Sequence, residues 1–225
     1  MDIRNIYCIG RNYADHAREL GNAIPDKPIL FSKPTHSLTI ANGQMLEFPS
    51  NRGEIHHELE IVLHIGKPYE KGISLEELVD VMALGIDFTL RDEQNELKKK
   101  GHPWLRAKGF KHAAVVTDFW SFPGEETCKA TDFSLLIHDQ VVQKGNIQQM
   151  LFSFEQMVEE VGEAFGLGEG DLLFTGTPEG VGPIQSGDQL SLFWGTERKG
   201  HFSVRITSVA QKSEDKVKGT EMEYY

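Results

Sequence analysis

Polar and apolar side chains alternate along the chain between residues 54 and 66, in the sequence EIHHELEIVLHIG. Successive side chains of a β-strand point to opposite faces of the sheet. The alternation therefore predicts a strand over Glu54–Gly66. One face of this strand is apolar, and the other carries His56, Glu58 and Glu60.

Shorter apolar runs, bounded by glycine, proline or polar turn residues, predict the other strands. We expect these strands at Ile3–Ile9, Pro28–Lys33, Met45–Phe48, Ala113–Thr117, Asp171–Thr175, Gln189–Trp194 and Phe202–Val209. A hairpin is predicted from Ser134–His138 and Val141–Lys144, which flank Asp139 and Gln140.

Capping signals predict two of the helices, because a serine followed three residues later by glutamate or glutamine caps a helix N-terminus. Ser74 and Ser153 carry this signal. Their helices are expected to continue to about Met82 and Phe165. Further helices are expected at Tyr13–Leu20 and Thr89–Lys100, each followed by glycine and proline.

Many short strands and few helices predict a β-rich α+β fold and not alternating βαβ units. The 225 residues are enough for one domain with a sizeable core, and no repeat or linker divides them. We therefore expect a single domain over residues 1–225. The polar residues from about 212 to 225 are expected to form a loose tail.

The overall charge restricts the partners of this chain. The net charge is -11 and the charged residues are dispersed, whereas nucleic acids and anionic membranes bind basic patches. Neither is expected as a partner. Cys8 and Cys128 lack metal-type spacing and are expected to be free thiols in a reducing compartment. Because no signal peptide or apolar run of membrane-spanning length is evident, we expect a cytoplasmic location, or a compartment reached by an address that has been removed.

Glu58 and Glu60 are the first candidates for chemistry. Two carboxylates on one strand face repel each other unless a cation lies between them, and hard divalent cations prefer oxygen ligands. We interpret the pair as ligands of Mg²⁺ or a similar ion. The alternative is the polar face of a half-exposed strand. His56 shares this face and is a possible third ligand, although a structural histidine is the commoner case.

Asp87 interrupts the apolar run Leu84–Phe88, and a buried carboxylate is costly unless it is paired or binds a metal. We interpret Asp87 as a third metal ligand. The alternative is an N-cap for the following helix, a position for which Thr89 also competes.

Three further features have both a chemical and an ordinary interpretation. His16 and Glu19 share one helical face and form either a base oriented by a carboxylate or a surface pair. Lys108 is either a cation that polarises a carbonyl or a surface lysine. TGTPEGVG lacks the ending of a Walker motif; it is either a turn or a backbone cradle for an anion, aided by Thr177.

Five motifs in order, GRNYADH, HHELE, GIDFTLRDEQ, KKKGHPWLRAKGF and TGTPEGVG, resemble the fumarylacetoacetate hydrolase family. The resemblance runs from about Ile6 to Ile206 and is closest to the short, single-domain members. It implies a mixed β-sandwich roll with a few short helices, usually a homodimer. It also implies Mg²⁺ or Mn²⁺ held by the residues that match the family's ligands, namely Glu58, Glu60 and Asp87.

The same resemblance assigns roles to other residues. It implies that residues from about 10 to 21 form a mobile lid, in which His16 and Glu19 activate water. Lys108 matches a lysine that polarises the substrate. The positions that match substrate contacts are Arg91, Gln94 and Thr177.

The activity implied by the resemblance is hydrolysis of the C–C bond of acylpyruvates, with oxaloacetate decarboxylation as a second activity. Both start from a small 2-keto acid and pass through an enolate. The enzymatic alternative is an isomerase or tautomerase of 2-hydroxy-dienoates or oxaloacetate. The non-enzymatic alternative is a metal-stabilised protein that binds dicarboxylates, for which a base would have no use.

Overall fold

The computed structural model describes residues 2–14 and 25–207. Its strands are β1 Ile6–Gly10, β2 Ile29–Lys33, β3 Leu38–Ile40, β4 Asn42–Pro49, β5 Ile55–His57, β6 Leu59–Ile65, β7 Val79–Asp87, β8 Thr89–Leu90, β9 Ala114–Val116, β10 Trp120–Ser121, β11 Phe133–Ile137, β12 Gln140–Gly145, β13 Leu172–Phe174, β14 Gly182–Pro183, β15 Gln189–Trp194 and β16 Glu197–Thr207. Its α-helices are α1 Leu75–Leu78, α2 Arg91–Lys99, α3 Leu105–Lys108, α4 Glu125–Lys129 and α5 Phe154–Phe165, with 3-10 helices at Thr35–Ser37 and Ile147–Gln149.

The strands form three sheets. The largest has the order β2-β1-β13-β6-β7-β9-β3, with β10 also paired to β7. A second sheet has the order β12-β11-β15-β16-β4, and a small third sheet joins β14, β5 and β8. Most pairs are antiparallel, but β1 with β13, β3 with β9 and β4 with β16 are parallel. The predicted β-rich α+β class is confirmed.

Strand β6 lies at the centre of the large sheet, between β13 and β7. Every residue of β6 is buried, including the polar Glu60 and His64. The interpretation of its polar positions as a half-exposed face is therefore wrong. Apolar side chains cover both faces of the sheet, so that a carboxylate on either face is removed from water.

The single strand predicted over Glu54–Gly66 is two strands, β5 and β6, which belong to different sheets. Glu58 lies at the break between them. The break is stabilised from outside the strand: the Gln143 side-chain oxygen accepts hydrogen bonds from the Leu59 N–H and from the His57 ring, both at 2.9 Å. Hydrophobic alternation does not reveal such a break, because its cause is a side chain 84 residues away.

Two helix predictions need correction. The Ser74 cap is present, and its side chain accepts from the Glu77 N–H, but α1 ends at Leu78 and not at about Met82. From Val79 onward the chain forms strand β7, which pairs with β6. This strand includes most of the apolar run Leu84–Phe88. The helix expected from Thr89 begins at Arg91, because Thr89 and Leu90 pair with β5. Tertiary pairing overrides local helix signals at both places.

Other predictions hold closely. Strand β15 has the predicted bounds, and α5 begins with the predicted capping box at Ser153 and ends at Phe165. The hairpin of β11 and β12 forms, but its two turn residues are His138 and Asp139, both with positive φ, as a type I′ turn requires. Cys8 and Cys128 are buried free thiols.

Residues 15–20 of the predicted helix Tyr13–Leu20 and the whole predicted tail at 212–225 lie outside the described residues. Within residues 2–14 and 25–207, no helix is long and apolar enough to span a membrane.

Candidate active site

Three carboxylates meet where strand β6 begins and strand β7 ends. Glu58 precedes β6, Glu60 is its second residue, and Asp87 is the last residue of β7. Antiparallel pairing brings these ends together, and the Asp87 N–H donates to the Glu58 carbonyl at 2.9 Å. One carboxylate oxygen from each residue lies within 4.8 Å of the others, and all three residues are buried. The predicted trio is thus assembled.

Asp87 does not cap a helix. Helix α2 has Leu90 at its N-cap position and no side-chain cap, so the capping interpretation of Asp87 is wrong. Thr89, the other candidate cap, instead donates its hydroxyl to Glu58 Oε1 at 3.0 Å. Both side chains belong to the carboxylate cluster.

Lys108 lies in the middle of the cluster, and the surface interpretation of this lysine is wrong. Its side chain is 2% exposed, and Nζ lies 2.7 Å from Glu58 Oε2 and 2.6 Å from Asp87 Oδ2. Burial alone would lower the pKa of Lys108, but Asp87 and Glu58 raise it above its ordinary value. Lys108 is therefore a charged ammonium held between two carboxylates.

Lys33, at the end of β2, is a site residue that sequence reasoning missed. Its side chain is fully buried and Nζ lies 2.5 Å from Asp87 Oδ1, as an ion pair without hydrogen-bond geometry. Nζ also donates to the carbonyls of Lys108 at 2.5 Å and Phe88 at 3.3 Å. Its only sequence signal is a lysine at the end of an apolar strand, which is equally common at exposed strand ends.

Glu60 has a different environment from the other two carboxylates. It accepts a hydrogen bond from the Gly176 N–H at 2.7 Å, and no ion pair with another described residue is formed. Burial, with the nearby Asp87 and Glu58 carboxylates, raises the pKa of Glu60 well above its ordinary value. An ionised Glu60 in this position requires a further positive charge.

The donor set fits a hard divalent cation. Carboxylate oxygens are the ligands that Mg²⁺ and Mn²⁺ prefer, and a cation bound by the trio would supply the charge that Glu60 lacks. His56 is not part of this group: its Nε2 lies 2.9 Å from Glu54 Oε2, and its Nδ1 lies 3.4 Å from Arg91 Nε.

The three residues expected to contact substrate are buried around the trio. Arg91, the first residue of α2, places Nη2 2.8 Å from Glu58 Oε1 and Nη1 3.1 Å from the side-chain oxygen of Gln94, one turn further along the helix. Thr177 follows β13, and its hydroxyl accepts from Gln143 Nε2 at 2.9 Å. The first residues of the segment TGTPEGVG, Thr175 to Thr177, are therefore buried in the site and do not form a surface turn.

These groups line one pocket. Its walls are formed by Ile9, Gly10, Arg11, Phe31, Glu58, Glu60, Asp87, Arg91, Gln94, Lys98, Trp104, Lys108 and Thr177. The pocket combines the carboxylate trio with several cations and two aromatic side chains, which is the composition of a site for a small anionic ligand.

Asn12 lies in the first part of the segment predicted to form the lid, from about residue 10 to 21, and fixes that part to the rest of the fold. This fully buried amide donates to the Thr175 carbonyl at 2.9 Å and the Phe152 carbonyl at 3.1 Å, and accepts from the Phe152 N–H at 2.8 Å. It therefore ties the start of the segment to the loop after β13. His16 and Glu19 lie outside the described residues, and their predicted roles stay predictions.

Comparison with known proteins identifies the architecture. A family model described as the C-terminal domain of fumarylacetoacetate hydrolase matches residues 5–207. The chain belongs to the fumarylacetoacetate hydrolase family. The resemblance of the five ordered motifs is thereby confirmed.

Several family members of known name resemble this chain over most of its length. Oxaloacetate tautomerase YcgM of Escherichia coli is 34% identical over 84% of this chain and 88% of its own. The mitochondrial oxaloacetate decarboxylase of Dictyostelium discoideum is 36% identical over 82% and 85%. A solved structure of fumarylpyruvate hydrolase from Pseudomonas aeruginosa, in complex with Mn²⁺ and pyruvate, superposes with a TM-score of 0.82 at 32% identity, covering 91% of each chain.

Proposed function

We propose that this protein is a metal-dependent enzyme that acts on 2-keto acids, with oxaloacetate as substrate and keto–enol tautomerisation as the main reaction. The observation that carries the proposal is Glu60, a buried carboxylate that forms no ion pair with another described residue and lies beside Glu58 and Asp87 in the wall of one pocket. The choice of oxaloacetate is supported by the names of the relatives, two of which are a tautomerase and a decarboxylase of that acid.

A divalent ion on Glu58, Glu60 and Asp87 would act as a Lewis acid that polarises the keto oxygen. The side chains around it have complementary roles. Lys108 presents an ammonium between Glu58 and Asp87, where it stabilises negative charge that develops on an enolate oxygen. Arg91, Gln94 and Thr177 line the pocket and orient the substrate, while the Gly176 N–H holds the Glu60 carboxylate.

The second candidate is hydrolysis of acylpyruvates, the reaction expected first from the sequence. It is favoured by the structural likeness to the fumarylpyruvate hydrolase, whose complex contains Mn²⁺ and pyruvate. Both reactions need the same 2-keto acid head and the same enolate, so the shared residues serve either. They differ in that hydrolysis adds water and breaks a C–C bond, whereas tautomerisation only moves a proton within the substrate.

Product analysis tests the proposal. The purified protein is incubated with oxaloacetate, fumarylpyruvate and acetylpyruvate, each with Mg²⁺, with Mn²⁺ and with a chelator. We expect metal-dependent conversion of enol-oxaloacetate without change of mass. Carbon dioxide as the main product would indicate a decarboxylase, and pyruvate plus a second acid a hydrolase. Binding of these acids without turnover of any would favour the dicarboxylate-binding alternative and contradict the proposal.

The His16–Glu19 pair is proposed as the proton-transferring dyad of the lid. The double variant His16→Ala/Glu19→Ala is expected to keep its metal affinity but to slow turnover by about 10²–10⁴-fold, the usual contribution of a positioned base. Titration calorimetry with Mn²⁺ and steady-state kinetics measure the two properties. Unchanged acetylpyruvate hydrolysis in the double variant, in a protein that hydrolyses it, would exclude the dyad.

A further inference from the structure

Arg11 is a cation in the pocket wall that has no partner among residues 2–14 and 25–207. It follows β1 and lines the pocket, and no hydrogen bond or ion pair links it to the residues of the described ranges. Its Nε is buried without a hydrogen-bond acceptor. Its backbone adopts φ 58°, a left-handed conformation that non-glycine residues rarely adopt and that is often found at functional sites.

Lys98 is a second cation of this kind. It lies in the last turn of α2, lines the same pocket and places Nζ 5.2 Å from the centroid of the Trp104 ring. No ion pair with a carboxylate of a described residue involves it. Burial, then Arg91 and Arg11, lower its pKa to about 8. The next residue, Lys99, differs: it is 72% exposed and paired with Glu96 at 2.9 Å.

The charges of the pocket divide into two groups. The carboxylates of Glu58, Glu60 and Asp87 are matched in number by the buried cations Lys33, Lys108 and Arg91. Arg11 and Lys98 add positive charge that no described acid of the pocket balances. A buried or half-buried cation without a partner is costly, and a ligand that brings its own negative charge would remove that cost.

We propose that Arg11 and Lys98 bind a second carboxylate of the substrate, at the end remote from the 2-keto acid head. This inference rests on the proposed function, in which the trio and its metal hold the head. Oxaloacetate is a dicarboxylic 2-keto acid, and the inference assigns the residues that bind its second carboxylate and a preference over keto acids with an uncharged tail. Arginine and lysine are suited to this role, since charge-assisted hydrogen bonds to carboxylates are strong and directional.

A matched pair of ligands tests the proposal without turnover. 2-Oxoglutarate and 2-oxovalerate have the same chain length and the same head, but end in a carboxylate and a methyl group, respectively. Their affinities for the Mn²⁺-loaded protein are measured by titration calorimetry. We expect 2-oxoglutarate to bind about 10–100-fold more tightly, the effect of one or two hydrogen bonds to a charged group.

The variants Arg11→Gln and Lys98→Gln are each expected to reduce this preference by about tenfold, and the double variant to abolish it, with the affinity for 2-oxovalerate unchanged. Lys99→Gln removes a charge from the same helix outside the pocket and should preserve the full preference. Lys98→Gln keeps the test decisive if the Arg11 variant does not fold, since Lys98 is at a helix end.

The outcomes separate this inference from the proposed function. Equal affinities for the two ligands in the unmodified protein, or a preference that persists in the Lys98→Gln and double variants, would overturn the role of Arg11 and Lys98 but leave keto acid binding intact. Failure of both ligands to bind would overturn both proposals. A charge-dependent preference in a protein that turns over no keto acid would support the anion site and contradict the enzymatic proposal.

Discussion

Replacing Glu60 with glutamine is expected to weaken Mn²⁺ binding by at least about 100-fold, because even residues that only support a metal ligand contribute 10–100-fold. The fold should tolerate the change. Glutamine has the shape of glutamate, and its carbonyl oxygen can accept the hydrogen bond that the Gly176 N–H now donates at 2.7 Å. Loss of metal affinity without loss of structure would identify Glu60 as a ligand.

The pH dependence of stability gives this variant a second signature. The pKa of Glu60 is raised in the folded protein, chiefly by burial, so the stabilising contribution of its protonated form is lost as pH rises through that raised pKa. The metal-free variant, which has no charge to bury, should therefore be more stable than the unmodified protein at high pH. At low pH, where Glu60 is protonated in both the folded and unfolded states, the difference should be small.

Calorimetric titration with Mn²⁺ and thermal unfolding of the metal-free proteins at pH 3.5, below the ordinary glutamate pKa, and at pH 9 measure both effects. In the unmodified protein, Mn²⁺ should displace a proton and bind more tightly as pH rises. Equal Mn²⁺ affinity in the two proteins would exclude Glu60 as a ligand. Equal stability at pH 9 would show that Glu60 is not held in an unfavourable ionised state.

Replacing Lys108 with methionine is expected to destabilise the metal-free protein by about 3–5 kcal/mol, because it leaves the buried carboxylates of Glu58 and Asp87 without their shared cation. For a chain of this size, this loss corresponds to a fall in Tm of roughly 10 °C. The reaction should slow by about 10²–10³-fold, the usual effect of removing one group that stabilises an oxyanion.

Added Mn²⁺ distinguishes this loss from general damage to the core. Because the ion would restore positive charge between Glu58 and Asp87, it should raise the Tm of Lys108→Met by more than it raises that of the unmodified protein. The exposed Lys99 supplies the control, since surface substitutions usually change stability by less than about 0.5 kcal/mol. A metal-free Lys108→Met protein as stable as the Lys99→Met control would contradict the ion-pair network.

The site residues show where sequence reasoning succeeds. Glu58 and Glu60 were identifiable because two carboxylates on one strand face repel each other without a cation, and Asp87 because a carboxylate in an apolar run requires a physical reason. The structure brings the three together. Lys33 was not identifiable, because a lysine at a strand end is ordinary until the structure shows that it is buried against Asp87.

The secondary structure shows the same division. Helix α5 and strand β15 match their predicted bounds, because a capping box and an apolar run are local signals. Helix α1 was predicted too long, and strand β6 was predicted to continue through Glu58, because pairing with β7 and the Gln143 side chain decide these boundaries. Neither partner is visible from the local pattern.

The sequence by itself determined the β-rich class, the family through its five ordered motifs, and the acidic trio, since each depends on residue type and local spacing. Only the tertiary structure decided the electrostatics of the site. Burial on both faces of β6 leaves Glu60 without an ion pair to another described residue. Lys33 and Lys108 pack against Asp87 from other elements, and Arg11 and Lys98 lie in the pocket wall without an ion pair to any described residue. The strength of a charge pair depends on the distance between the two charges and on the exclusion of water. Both are set only when strands that are distant in the sequence pack together.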